Sequence, residues 1–276
     1  MSENNQQLEI LNIRFDKVTN QEALTKAMEF LKGNRQVYIT TPNPEILLEA
    51  EHNHEFRKTL NESALNIPDG IGILWASKYL EITKNNKSKT TKFLKWLCSI
   101  ITVPFYPKYI RTVLKERVTG TDLMENLCRE SVKYAYKIFL LGAKEGTAEL
   151  VKEILEKRYP GIQIVGTFSG THHQEDEKEI IEKVNHTAPD ILFVAYGAPN
   201  QELWIAKNLS KMQSVHLAIG IGGAFNFIAG IRKRAPKWMQ NLGIEWLYRL
   251  IQEPSRIKRI YNATIKFSTK VLKKSL

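Results

Sequence analysis

The chain has 276 residues, 43% of them hydrophobic and 25% charged, which is enough to bury a full core and is ordinary for a globular protein rather than a disordered one. Its two cysteines, Cys98 and Cys128, stand far apart without metal-type spacing, which fits a reducing compartment and excludes a disulfide framework. The start, MSENNQQLEI, lacks the basic and apolar regions of a secretory signal, and the apolar stretch from Trp96 to Pro107 is shorter than the roughly 20 residues a bilayer span takes, so a cytoplasmic protein is expected.

Along the chain, β-rich apolar runs alternate with helical patterns, which predicts an α/β fold: a Rossmann-like, mostly parallel sheet with helices on both faces. A helix at Asn20–Leu31 leads to a strand at Gln36–Thr41, then a helix at Pro44–Asn53 and a strand at Ala64–Ile67. A helix at Gly70–Leu80 follows, then Asp122–Tyr136 and a strand at Lys137–Leu141. The remaining pairs are helix Gly146–Tyr159 with strand Ile162–Thr167, and helix Glu175–Asn185 with strand Asp190–Tyr196; a last strand falls at Val215–Ile219.

Two segments break the alternation. Ile82–Lys115 holds eight Lys/Arg and no acid around the apolar run FLKWLCSIITVPFY. It reads either as a solvated basic loop with a short helix or as a membrane-surface element. The second is the C-terminal block. From Arg232 to Leu276 there are twelve Lys/Arg and only two Glu, which leaves this block carrying +10 of the formal +11. Trp238, Trp246, Leu247, Tyr248, Leu250 and Ile251 share it, so it is basic and apolar together, a composition suited to an anionic membrane surface or a lipid-linked phosphate. The expected organisation is a core over 1–231, interrupted by an insertion at 82–115, and a basic amphipathic helical appendage over 232–276 lying near a membrane.

In open α/β sheets, ligands sit outside the carboxyl ends of the strands, and small or polar loops follow nearly every strand here. Thr41-Pro42-Asn43-Pro44-Glu45 reads as a helix cap or as a pair of ligand contacts. Asp69 in Pro68-Asp69-Gly70 is either turn chemistry or a general base. Arg117 precedes a helix that Thr121 or Asp122 is expected to cap, a setting for a diphosphate clamp. Tyr196–Glu202 offers amides, and Gly220–Phe225 lets a ligand approach the backbone. This last loop is not a dinucleotide fingerprint, since Phe225 stands where the third glycine belongs and no ribose-binding acid follows. No Walker A pattern, D-x-D pair or metal-type histidine spacing occurs, so no cofactor or metal is expected; if a nucleotide diphosphate leaves here, arginines and helix N-termini must stabilise it.

In this order, the loops resemble the WecG/TagA/CpsF family of bacterial glycosyltransferases over nearly the whole chain. The carriers are Thr41-Pro42-Asn43, Pro68-Asp69-Gly70-Ile71-Gly72, Arg117–Asp122, Phe139–Gly142, Gly197–Glu202, Gly220–Gly230 running into Arg234–Trp238, and most specifically Gly243–Pro254. The resemblance implies an inverting, metal-independent transfer of a sugar, often N-acetylmannosamine, from a UDP donor to undecaprenyl-diphosphate-linked N-acetylglucosamine. The product would enter teichoic acid or a related surface polymer. It further implies that Asp69 is the base, that Thr41 and Asn43 line the pocket, that Gln201 contacts donor or acceptor, and that Arg117 meets the diphosphate. Arg249, Arg256 and Arg259 match the arginines that complete the family's site at the membrane. Two features depart from the family: Asn226 replaces its usual Asp, which bears on donor choice, and 82–115 is longer than its usual connection.

Other readings remain at this level. Another UDP-sugar (glucose or N-acetylmannosaminuronic acid) would suit the same fold, and a non-catalytic scaffold is kept open by Asn226. A nucleic-acid binder would leave the Thr-Pro-Asn, Pro-Asp-Gly and Gln-Glu loops unexplained, so no nucleic-acid partner is expected. Self-association off the membrane would mask an apolar tail and belongs to the same expectation.

Overall fold

The computed structural model describes residues 6–276. A two-stranded antiparallel hairpin comes first, β1 (Gln7–Ile10) and β2 (Ile13–Asp16). Its turn is Leu11-Asn12, both with positive φ (50° and 63°), the backbone a two-residue hairpin connection requires. Six parallel strands then form the main sheet: β3 (Val37–Thr40), β4 (Leu65–Asn66), β5 (Lys137–Gly142), β6 (Gln163–Phe168), β7 (Ile191–Ala195) and β8 (Leu217–Gly220). Their order is β4-β3-β8-β7-β5-β6. All six coincide with runs read from the sequence, and the sheet is wholly parallel.

The sheet is central because its strands are apolar on both sides, as a parallel sheet covered by helices demands. In β7, Ile191 and Phe193 point into one core while Leu192 and Val194 point into another. The first core is closed by α1 (Asn20–Lys32), α6 (Gly120–Tyr134), α7 (Thr147–Arg158) and α10 (Ala224–Ile228). The second is closed by α8 (Gln174–Thr187) and α9 (Asn200–Asn208).

A third core sits beside the sheet. It is built by the hairpin, α2 (Pro44–Ala50), α3 (His54–Glu62) and α4 (Ile71–Thr83). Asp16 ties the hairpin to the sheet by accepting from the Asn66 amide at 2.8 Å and from Gln7 Nε2 at 2.9 Å. The 82–115 segment is neither a plain loop nor a short helix: it carries the 17-residue α5 (Lys89–Phe105). Trp75 Nε1 donates to Ser99 at 3.0 Å, which fixes α5 on α4.

The C-terminal segment forms α11 (Lys237–Leu242), α12 (Glu245–Gln252), α13 (Ile257–Tyr261) and, after a π-helical turn, α14 (Phe267–Ser275). The last helix is anchored in the third core. Phe267, Val271 and Leu272 are buried there, with Phe267 packed edge-on against Trp75 at 6.4 Å between ring centroids. Trp96 Nε1 donates to the Ser268 carbonyl at 3.0 Å and joins α5 to α14. The segment therefore leaves the sheet, crosses its carboxyl edge as α11–α13, and returns to the core.

Candidate active site

A cleft of about 650 Å³ opens where the loops after β3, β4, β7 and β8 meet beneath α12 and α13. Thr41, Asn43, Asp69, Gln201, Asn226, Arg249, Arg256 and Arg259 all line it. Arg117 does not; it lines an adjoining cleft and reaches across to the C-terminal segment.

Asp69 follows β4, held by its backbone N–H to the Pro42 carbonyl at 3.2 Å. Gly70 takes the N-cap position of α4 with φ +104°, a conformation suited to glycine, and no side chain caps the helix. The Asp69 carboxylate is thus not spent on capping, and among the described residues it makes no hydrogen bond. Enclosure pushes its pKa up to about 6; Arg117 and then Arg249 pull it down, and Glu245 and Asp122 push it up.

The neighbouring polar residues divide their work. Asn43 Oδ1 caps α2 by accepting from Glu45 N and Ile46 N at 3.0 and 3.1 Å. Thr41 lies against Gly120, where an added Cβ would meet its Cγ2 at 3.3 Å, so glycine lets the start of α6 close on the β3 loop. Thr119, rather than Thr121 or Asp122, caps α6, accepting from Asp122 N at 3.1 Å. Gln201 is only 2% exposed. Its Oε1 accepts from Gly197 N and Gly222 N at 3.1 and 3.0 Å, stitching the β7 and β8 loops together. Its Nε2 donates to Glu202 Oε1 at 2.8 Å. Burial pushes the Glu202 carboxyl up to about 7, and its Oε2 has no partner. Asn226 faces the cleft from α10.

The arginines are held in ion pairs. Arg259 makes a two-pronged contact to Glu45 at 3.0 and 2.8 Å. Arg256 and Arg232 share Glu253, each at 2.8 Å. Arg249 lies 5.2 Å above the Phe227 ring and pairs with Glu245. Arg117 pairs with that same Glu245 at 2.5 Å. Two guanidiniums per carboxylate leave positive charge over, and this surplus faces the cleft at Glu245 and Glu253. Glu245 was missed at the level of sequence. It is 6% exposed, and although burial pushes its carboxyl up, Arg249 and Arg117 outweigh that and hold it below the usual range. The available signal was an acid standing alone in a basic apolar block. Among the described residues no cluster of three His, Cys, Asp or Glu is placed to hold a metal ion.

A wholly parallel sheet covered by helices on both faces, with a cleft over its carboxyl edge, is the architecture of a Rossmann-like enzyme, and the shared arginines make that cleft receptive to an anion. The chain belongs to the glycosyl transferase WecG/TagA/CpsF family, whose model matches residues 8–107 and 101–276. It is therefore a glycosyltransferase. The two matched pieces meet within the 82–115 segment. The chain is similar to proteins named N-acetylglucosaminyldiphosphoundecaprenol N-acetyl-beta-D-mannosaminyltransferase in several bacteria. With that of Bacillus spizizenii it shares 31% identity over 88% of this chain and 82% of the relative. With that of Bacillus subtilis it shares 32% over 85% and 78%, and with that of Staphylococcus aureus 28% over 98% and 94%.

Proposed function

We propose that the chain transfers N-acetylmannosamine from UDP-N-acetylmannosamine to undecaprenyl-diphosphate-linked N-acetylglucosamine, with inversion at the anomeric carbon. The observation that carries the mechanism is Asp69: a carboxylate without a hydrogen-bond partner, at the carboxyl edge of the sheet, beside arginines. With a pKa of about 6 it is roughly 90% ionised at pH 7 and still basic enough to take a proton. It accepts the proton of the acceptor hydroxyl as that oxygen attacks the anomeric carbon. The bond from that carbon to the UDP oxygen breaks, and its electron pair leaves with UDP.

The reading is metal-independent: guanidinium groups supply the positive charge that the leaving diphosphate needs. Arg249, Arg256 and Arg259 lie on the roof of the cleft, and Arg117 is one carboxylate away behind Glu245. Thr41 and Asn43 form the wall nearest Asp69, with Gln201 holding the opposite wall in shape. Asn226 contributes a neutral amide to donor recognition.

The lipid acceptor places the enzyme at a membrane surface, on the cytoplasmic side in this reading. No helix among the described residues is long and apolar enough to cross a membrane. Instead, α5 exposes Phe93, Leu94, Ile101 and Phe105, the last 82% exposed, while α11–α13 expose Trp238 and Ile251, the latter 70%. Lysines interleave with these groups, and α5 touches α11, so the two apolar faces adjoin. Such a surface suits peripheral insertion among anionic lipids, and self-association would cover it off the membrane. The test is mass spectrometry of the lipid product formed with UDP-N-acetylmannosamine, UDP-glucose and UDP-N-acetylmannosaminuronic acid. A lipid-linked disaccharide containing N-acetylmannosamine supports the reading; product with another donor alone would replace the sugar, and no product with any would remove the activity.

A further inference from the structure

A second cleft, of about 520 Å³, adjoins the first behind Arg117 and Arg234. Apart from Arg117, none of the residues assigned to the transfer lines it. It lies between the start of α1, one face of α6, the turn at Tyr109–Arg111 and α11. Its three carboxylates already have partners. Asp122 accepts from Arg234 at 2.6 Å, Glu125 from Arg158 at 2.7 Å, and Glu116 from the Asn20 backbone and side chain at 2.8 and 2.9 Å.

The cations are different. Arg111, Arg129 and Lys237 line the same cleft without a carboxylate. Arg111 donates only to the Asn241 carbonyl at 2.9 Å, and its Nε is buried without a partner. Arg129 donates to Asn126 at 2.7 Å, and Lys237 makes no polar contact among the described residues. An oxyanion in the cleft would meet the free N–H groups of these three cations, which no carboxylate neutralises.

The rim indicates where that oxyanion comes from. Helix α11 places Lys237 and Asn241 one turn apart on the cleft side. Trp238 and Leu242, each one residue and about 100° further round, point outward; Trp238 is 59% exposed. Phe105 and Tyr106, exposed at the end of α5, precede Arg111 in the chain. A phosphate site beside the exposed Trp238 matches a lipid whose headgroup enters the protein while its chains stay in the bilayer.

We propose that this second cleft is a binding site for the phosphate headgroup of an anionic membrane phospholipid, distinct from the transfer site. The proposal rests on the membrane-facing reading of α5 and α11, and adds to it a discrete seat where diffuse charge alone would give none. Occupancy would hold the C-terminal segment, through Lys237 and Arg234, in register over the transfer cleft.

The experiment compares vesicle binding of the full chain and two triple variants. One is Arg111→Gln/Arg129→Gln/Lys237→Gln in the cleft. The other, Lys84→Gln/Lys87→Gln/Lys89→Gln, removes the same charge from the exposed surface of the 82–115 segment. Sedimentation uses vesicles of phosphatidylcholine with phosphatidylglycerol, and a second arm titrates soluble glycerol phosphate by calorimetry. The cleft variant should lose tenfold or more in vesicle affinity and the surface variant under threefold, with soluble glycerol phosphate binding far more weakly than vesicles. Equal losses in the two variants would overturn the site while leaving the membrane reading intact. Glycerol phosphate bound as tightly as vesicles would make the ligand a free phosphate and overturn the lipid assignment. A wild type indifferent to vesicles would remove the membrane reading on which the site rests. Transfer to a short-chain, water-soluble acceptor reports the first cleft separately and should be unchanged in the cleft variant. If the triple variant melts early, Lys237→Gln alone, at an exposed position, should still lose at least twofold against vesicles.

Discussion

Glu245 of α12 accepts from Arg117 at 2.5 Å across 128 residues of chain, and its other oxygen accepts from Arg249. One carboxylate thus couples the sheet edge to the C-terminal segment and sets the charge around Asp69. Arg117 and Arg249 lower the pKa of Asp69, and Glu245 raises it. Replacing Glu245 by Gln removes a negative neighbour from Asp69 and releases two guanidiniums. The acid limb of the pH profile of kcat/KM should move to lower pH, and chemical denaturation should show a loss of about 1–3 kcal/mol, the range for hydrogen bonds to charged groups. A limb that stays in place would show that the contact does not act on Asp69.

Asp69 itself is predicted to cost stability. Its folded pKa, about 6, lies above the ordinary 3.8, so the folded protein binds this proton more tightly than the unfolded chain does. Stability from this group therefore falls as pH rises from about 4 to about 6, by at most about 3 kcal/mol. Asp69→Asn should melt at a higher temperature than wild type at pH 8 and at nearly the same temperature at pH 4. Calorimetry at the two pH values checks this; a variant less stable at pH 8 would contradict the enclosure of the carboxylate.

Glu202 is predicted to act through Gln201. Buried and with its pKa near 7, it accepts from Gln201 Nε2 and so fixes the amide whose oxygen joins Gly197 and Gly222. Glu202→Gln retains an acceptor and should leave the donor KM within about threefold of wild type. Glu202→Met keeps the size but loses the acceptor, and should raise the donor KM about tenfold, the worth of one buried hydrogen bond, with a smaller change in kcat. Equal kinetics for the two variants would show that Glu202 is only packing.

Phe267 makes the C-terminal helix part of the core. It is fully enclosed against Trp75, so Phe267→Ala should cost about 3–5 kcal/mol in urea denaturation. A loss below 1 kcal/mol would mean that α14 is not docked in solution.

Much of this architecture was legible because parallel strands buried on both faces leave near-continuous apolar runs, as in Ile191–Ala195, and because chemistry gathers at their carboxyl ends. The β1–β2 hairpin was not legible. Its turn is Leu11-Asn12, and leucine at positive φ carries none of the Asn-Gly or Asp-Gly signal. The length of α5 was hidden by its lysines and by Pro104, which sits one residue before the helix ends. In the cleft, residue types marked the right loops but not what each side chain does. Asn43 caps α2, as one of the two readings of its loop has it, but Gln201 points its amide oxygen at two backbone N–H groups, and Arg117 turns toward a partner 128 residues away. The Gln201 contacts arise only when the β7 and β8 loops meet, and the Arg117 contact only when the C-terminal segment folds back over the sheet; no local pattern records either.

The measurement that bears most directly on the central claim is UDP release from UDP-N-acetylmannosamine, with and without the lipid-diphosphate N-acetylglucosamine acceptor, for wild type and Asp69→Asn. The account predicts release that depends on the acceptor in wild type and falls at least a hundredfold in Asp69→Asn, as expected for loss of a general base. Acceptor-dependent release that survives in a folded Asp69→Asn protein would contradict it.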